Sequence, residues 1–203
     1  MDEQEFINSI NGETDNAVLD SLIIRSIKEF HDDMLLTVGG YAFSFCSELT
    51  VVDLPNVTTA GARSFENCTS LTSINMPKLL SVGSFMFTAC TALTSVRLHE
   101  ITTIISSGFS GCTRLKTVDL YKINKINQNA FKSTALDTLI IRRTDTVATL
   151  GSSTAFDDTP MFTGAGYIYV PADLVESYKT AQYWSRYSGQ FRAIEEHPEV
   201  CNY

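Results

Sequence analysis

Positive charge is scarce in this chain: 15 lysines and arginines stand against 23 aspartates and glutamates in 203 residues, a formal net charge of -8. A general nucleic-acid binder needs a basic surface to neutralise phosphates, so that class is excluded. Long apolar runs are also missing. No stretch of about 18 apolar residues occurs, so no helix is expected to span a membrane. The start, Met1-Asp2-Glu3-Gln4-Glu5, lacks the basic and then apolar layout of a secretory signal, which leaves a cytoplasmic chain, or one exported or carried within something larger, both open. The signatures of nucleotide binding and acyl transfer are absent too: there is no GxxxxGK[ST], no GxGxxG and no GxSxG elbow. Histidine is limited to His31, His99 and His197, and no CxxC pair supplements them. Neither a metal nor a cofactor is expected.

What is present is a repeat. Phe65-Glu66-Asn67-Cys68-Thr69-Ser70-Leu71 returns 22 residues later as Phe87…Cys90-Thr91…Leu93, again as Phe109…Cys112-Thr113…Leu115, and 22 residues earlier as Phe43…Cys46-Ser47…Leu49. A fixed period of this size marks a solenoid, in which each unit buries its apolar side only by stacking on its neighbours. An apolar content of 44% suffices for one continuous core.

Within each unit, Leu-x-x-Val-x-Leu predicts a short strand, with Val96 and Leu98 inward and Arg97 outward. Successive copies are expected to pair into one curved parallel sheet with an open outer face. The rows Val57/Leu79/Ile101/Ile123 and Ala60/Val82/Ile104/Ile126 bring the chain back along the opposite wall, and the recurrent Phe enters from a one-turn helix or 3-10 segment. The first unit begins near Ile27. Leu19–Arg25 resembles Leu136–Arg142, but register assigns it instead to a helix starting at Thr14-Asp15, whose apolar positions Val18, Leu19, Leu22 and Ile23 would cap the array. Near Phe131 one residue is lost, and Ser133 is read at the cysteine position. Tyr167–Pro171 predicts a last strand, followed by a helix through Leu174, Val175, Tyr178 and Ala181; with Trp184, Phe191 and Ile194 it closes the far end. The expected division is 1–26, tail and capping helix; 27–160, about six repeats; 161–203, terminal cap.

Cys46, Cys68, Cys90 and Cys112 share one repeat position, which stacks them as a column roughly 5 Å apart. Parallel side-chain vectors suit a disulfide poorly and no nearby histidine completes a metal set, so buried free thiols are the favoured reading. Asn56-Val57-Thr58 and Asn67-Cys68-Thr69 fit the glycosylation triplet, yet the repeat itself explains both.

The unit Phe-x-x-Cys-Thr-x-Leu-Thr-x-Val-x-Leu-Pro, fullest in Phe43–Pro55 and Phe65–Pro77, resembles the BspA-like leucine-rich repeat proteins, and Tyr167–Val175 through Trp184 to Glu195 resembles the segment that ends many such arrays. The resemblance implies an α/β-type leucine-rich repeat solenoid and a non-catalytic surface or secreted protein that binds host proteins, other cells or matrix. It supplies no functional motif to carry over, because its repeated residues are structural.

Function is therefore sought in positions that the repeat leaves free. Three outward rows are expected: Val51, Ser73, Ser95, Thr117 and Thr138; Asp53, Asn75, Arg97, Asp119 and Ile140; and Pro55, Pro77, His99, Tyr121 and Arg142. They bring Arg97, His99, Asp119, Tyr121 and Arg142 into one cluster, flanked by Lys78, Lys116, Lys122 and Arg143. Residues 97–143 carry eight basic and three acidic side chains, so an acidic or carboxylated protein or glycan is the expected ligand of a monomer. The His99 and Asp119 pair lies on an open face with no pocket to shift a pKa, so no acid–base role is expected. A second reading is structural, a module of a phage or prophage particle or an assembly scaffold.

Overall fold

The computed structural model describes residues 27–201; the helix expected over Thr14–Ile23 lies outside them. Two rows of strands alternate along the chain: β1 (Glu29–His31), β2 (Thr37–Val38), β3 (Val51–Asp53), β4 (Thr59–Ala60), β5 (Ser73–Asn75), β6 (Ser81–Val82), β7 (Ser95–Leu98), β8 (Thr103–Ile104), β9 (Thr117–Leu120), β10 (Lys125–Ile126), β11 (Thr138–Ile141) and β12 (Thr149–Leu150). The odd-numbered strands pair in parallel as the front sheet, and the even-numbered ones pair in parallel as a back sheet of two-residue strands. The back wall is thus itself a ladder. It is followed by α1 (Pro160–Thr163), β13 (Tyr167–Val170), α2 (Val175–Thr180), β14 (Phe191–Ala193) and α3 (Pro198–Cys201). β13 and β14 extend the front sheet beyond β11.

Between the walls runs the core predicted from the repeat. Phe43, Phe65, Phe87, Phe109, Phe131 and Phe156 form one column with ring centroids 5.2–5.7 Å apart and nearly parallel planes. Leu49, Leu71, Leu93, Leu115 and Leu136 are wholly buried beside it. Cys46, Cys68, Cys90 and Cys112 are free and buried. The thiols of Cys68, Cys90 and Cys112 donate to the carbonyls of Phe43, Phe65 and Phe87 at 3.0–3.1 Å, and burial pushes the Cys68 and Cys90 thiols well up. In the next coil it is Thr134, not Ser133, that takes this position. The residue before it, Ser133, has the positive φ of Gly111 before Cys112, and buried Thr134 donates its hydroxyl to the Phe131 carbonyl at 2.9 Å. The lost residue therefore falls after Thr134.

The Phe-bearing segment is a run of turns and not the expected helical one. Tyr41, Arg63, Phe85, Ser107 and Asn129 are left-handed, and so, four residues on, are Phe45, Asn67, Ala89, Gly111 and Ser133. Left-handed residues at this interval interrupt any 3-10 run and aim alternate N–H groups along the stacking axis. Thus Tyr41, Phe43 and Phe45 donate to the carbonyls of Ala62, Ser64 and Glu66, and Arg63, Phe65 and Asn67 donate to those of Ser84, Met86 and Thr88. The turns form a third ladder, whose hydrogen bonds offset the local strain.

The expected single front sheet is divided. β1, β3 and β5 form one sheet and β7, β9, β11, β13 and β14 another, while the back wall parts at the same boundary into β2-β4-β6 and β8-β10-β12. The repeat spacing across this boundary is still 22 residues, so no insertion explains it. A glycine row does. A Cβ on Gly61 would collide with the Gly40 backbone, and one on Gly83 with the Ala62 backbone, so the first three coils nest at a distance that only glycine tolerates. The next residue in that row is Ile105. Its β-branched side chain cannot repeat the approach, and both sheets open there, while Phe87 and Ala89 still donate across the boundary to the carbonyls of Gly108 and Ser110.

The inward register gives a direct test. Leu93 and Val96 are buried and Thr94 is exposed, so Leu93→Ala or Val96→Ala is expected to cost about 2–4 kcal/mol through lost burial and a cavity. Thr94→Ala should stay within about 0.5 kcal/mol. Urea unfolding followed by circular dichroism measures all three; equal values would show that the inward and outward rows are misassigned.

Candidate functional site

Strand alternation and coil register position the outward cluster. Arg97 pairs in register with Asp119 across β7 and β9, as Asp119 does with Ile140 across β9 and β11. One residue beyond these strands, Tyr121 donates its N–H to the Leu98 carbonyl and Arg142 to the Leu120 carbonyl, which carries the third row past the strand ends.

All five expected residues meet. Arg142 makes a two-point contact with Asp119, Nε to Oδ1 at 2.7 Å and Nη2 to Oδ2 at 3.0 Å. Arg97 approaches the same carboxylate from the other side, with Nε 3.3 Å from Oδ2. The Arg142 guanidinium lies over the Tyr121 ring, 5.0 Å from its centroid, and His99 packs on that ring at 4.6 Å. The result is a fixed assembly of two guanidiniums, a phenol and an imidazole around one carboxylate.

Two expectations change. Asp119, expected in an outward row, lies on that face but is 0% exposed: the two arginines cover it and need it as their common counter-charge. The face is also not open along its length. Ile140 and Tyr169 on the outer side of β11 and β13 are buried under Ile194 and Val200, and His197 packs edge-on to Tyr169 at 5.4 Å. The chain after β14 therefore crosses the front of the sheet, and Ile194, expected in the terminal cap, belongs to this cover. The open part of the face runs from β1 to the Arg97 and Tyr121 cluster.

Two of the four flanking positive charges are matched by carboxylates. Lys122 pairs with Glu100 at 2.7 Å and Lys78 donates to the Asn56 side chain at 2.6 Å. Arg143 pairs with Asp145, whose carboxyl its hydrogen bonds hold below the usual range. Toward β1 the same face carries a chain of polar contacts in which Asn75 donates to Asp53 at 2.7 Å and His31 approaches Asp53 at 3.6 Å. Of the terminal aromatics, Tyr178, Trp184 and Tyr187 are core and Tyr167 and Tyr183 are exposed. No group of three metal-ligating side chains converges among the described residues.

A feature that sequence reasoning missed lies next to the cluster. Where the front sheet parts there is a cleft of about 360 Å³, with Thr72–Pro77 on one lip and Ser95–Arg97 and His99 on the other. The signal was present in the glycine row that ends at Ile105.

A family model of the BspA type leucine rich repeat region matches residues 36–162 in six copies. Comparison with curated proteins yields no match. Among solved structures, the chain is similar to a leucine rich cell surface protein from Faecalibacterium prausnitzii A2-165, with a TM-score of 0.61 and 27% identity over 71% of this chain and 39% of that one. A leucine-rich repeat protein from Eubacterium ventriosum ATCC 27560 gives a TM-score of 0.55 at 23% identity over 66% and 43%. The leucine rich repeat protein of T. pallidum gives 0.54 at 23% over 62% and 61%. At those identities the last two share the fold alone, and this chain spans 39% to 61% of the three proteins' lengths.

Proposed function

We propose a binding function for this chain, which belongs to the BspA-type leucine-rich repeat family: it is a non-catalytic interaction module of a bacterial surface or secreted protein, and it holds a protein or glycan on the open part of its front sheet. The observation that carries this reading is the Asp119-centred cluster. Arginine and tyrosine dominate the energetics of protein interfaces, and here both are immobilised before any partner arrives, so little side-chain entropy is lost on binding. The Asp119 carboxylate offsets one of the two guanidiniums, leaving one net positive charge, which favours a partner carrying a carboxylate or other acidic group against Arg97, His99, Tyr121 and Arg142. The surface location is supported by the similarity to a protein described as a cell surface protein.

Immobilised matrix proteins and an array of acidic and neutral glycans, probed with wild type and with Arg97→Ala/Tyr121→Ala/Arg142→Ala, test the site. Binding to an acidic member of the set by the wild type, reduced at least about tenfold in the triple variant, is expected, since two charged hydrogen-bonding groups are removed. Equal binding by both proteins would remove the cluster from the binding surface.

A further inference from the structure

The opening between β5 and β7 is the place where the front face offers main chain as well as side chains. Elsewhere each front strand is hydrogen-bonded to the next coil, but β5 and β7 share no ladder. Asn75 turns its carbonyl back toward the first coils, where it accepts from the Leu54 N–H. Main-chain groups of successive residues in a parallel strand point to opposite sides. The N–H and C=O of Ile74 therefore face the cleft, and by the same 22-residue register those of Ser95 face it from the other lip.

The cleft's width follows from the packing of the whole coil. Ile105 stands in the back-wall row where the preceding coils carry glycine, the Phe87 and Ala89 hydrogen bonds join the two halves on one side, and the parting of both sheets leaves about 360 Å³ open at the front. This lies within the about 300–1,000 Å³ of ligand clefts. Its lining includes Arg97 and His99 and no carboxylate. The Nδ1 of His99 is buried with no hydrogen-bond partner among the described residues. Ile74, whose counterparts Val52 and Val118 are fully buried, is only partly covered.

We propose that this cleft receives an extended peptide segment of a protein partner with a carboxylate at its central outward position, which completes the interrupted front sheet by pairing with β5 and β7. The chain itself shows the side-chain pattern such a segment requires. On the opposite edge of β7, the strand β9 puts Val118 and Leu120 inward and Asp119 beside Arg97. A segment of the same pattern in the cleft places its apolar residues on Ile74 and Val96 and its carboxylate in the row between Asn75 and Arg97. Main-chain pairing supplies the affinity and the acidic position supplies the selectivity, as in other cases of strand addition. The cleft shares Arg97 and His99 with the Asp119 cluster, but the inference goes beyond that cluster and does not require it to be the partner's contact.

A fluorescein-labelled peptide of the sequence of residues 115–122, Leu-Lys-Thr-Val-Asp-Leu-Tyr-Lys, is the probe, and fluorescence anisotropy with the full chain is the readout. Saturable binding is expected, weakened at least about tenfold when the peptide's aspartate is replaced by asparagine, the loss associated with one charge-assisted hydrogen bond. Ile105→Gly leaves every lining residue in place but lets the coils close, and should abolish binding while circular dichroism shows a folded chain. Should that variant fail to fold, hydrogen exchange on the wild type decides: the peptide should protect amides within 72–77 and 95–99. Absence of saturable binding, equal binding of the asparagine peptide, retained binding by folded Ile105→Gly, or protection elsewhere would each overturn the proposal. The peptide and Ile105→Gly report on the cleft, whereas the glycan and matrix probes with the triple variant report on the cluster, so failure of one site is distinguishable from failure of the other.

Discussion

Trp184→Ala is expected to lower the stability of the folded chain by about 3–5 kcal/mol, the range for deleting a large buried aromatic side chain. Trp184 is the single tryptophan and is completely buried. It ends the phenylalanine column, with its ring 5.9 Å from Phe156, and it packs edge-on to Tyr178 at 5.5 Å and Phe191 at 6.1 Å. Its indole Nε1 donates to the Ala148 carbonyl at 2.6 Å, while the Ala148 N–H donates to the Tyr178 hydroxyl at 2.9 Å. Truncation thus leaves a cavity and an unpartnered buried carbonyl together. A solenoid end exposes a complete coil face when its cap loosens, so the last coils should lose hydrogen-exchange protection before the first. Urea unfolding followed by circular dichroism gives the magnitude. A loss below about 1 kcal/mol would mean that the column is closed without Trp184, because surface substitutions seldom exceed about half that.

Asp119→Ala is expected to cost about 2–4 kcal/mol, somewhat under the full loss for a broken buried ion pair because both arginines keep some contact with water. The substitution leaves two guanidiniums from adjacent coils facing each other with their shared acceptor gone. Arg97→Ala or Arg142→Ala alone should cost less, since each leaves Asp119 one partner. The Asp119→Ala/Arg97→Ala/Arg142→Ala variant should recover part of the loss, as removing all members of a buried charge group often does. Unfolding curves of these four variants form the test, and an Asp119→Ala protein as stable as wild type would refute the carboxylate's role as the anchor of the cluster.

Convergence of the cluster was legible in the sequence because it depends on only two periods. Alternation along a strand separates inward from outward residues, and the 22-residue step, shortened by one after Thr134, brings Arg97, Asp119 and Ile140, or His99, Tyr121 and Arg142, into rows. The burial of Asp119 was not legible, because it depends on which way two long side chains fold over a shorter one. The cover over Ile140 and Tyr169 was not legible either. It depends on the path of Ile194–Val200 after the last strand, where no repeat sets a register.

By itself the sequence determined the stacking unit, its inward residues and the order of the coils. A solenoid asks each coil to present the same lining to its neighbours, so Phe43, Phe65, Phe87 and Phe109, or Cys46, Cys68, Cys90 and Cys112, recur in the letters as they do in space. Only the tertiary structure decided how close the coils come and what remains exposed. Gly83 nests on Ala62 where Ile105 cannot nest on the preceding coil, and that one change of side-chain volume, passed through rigid stacking, parts both sheets and leaves the front face divided beside Arg97 and His99.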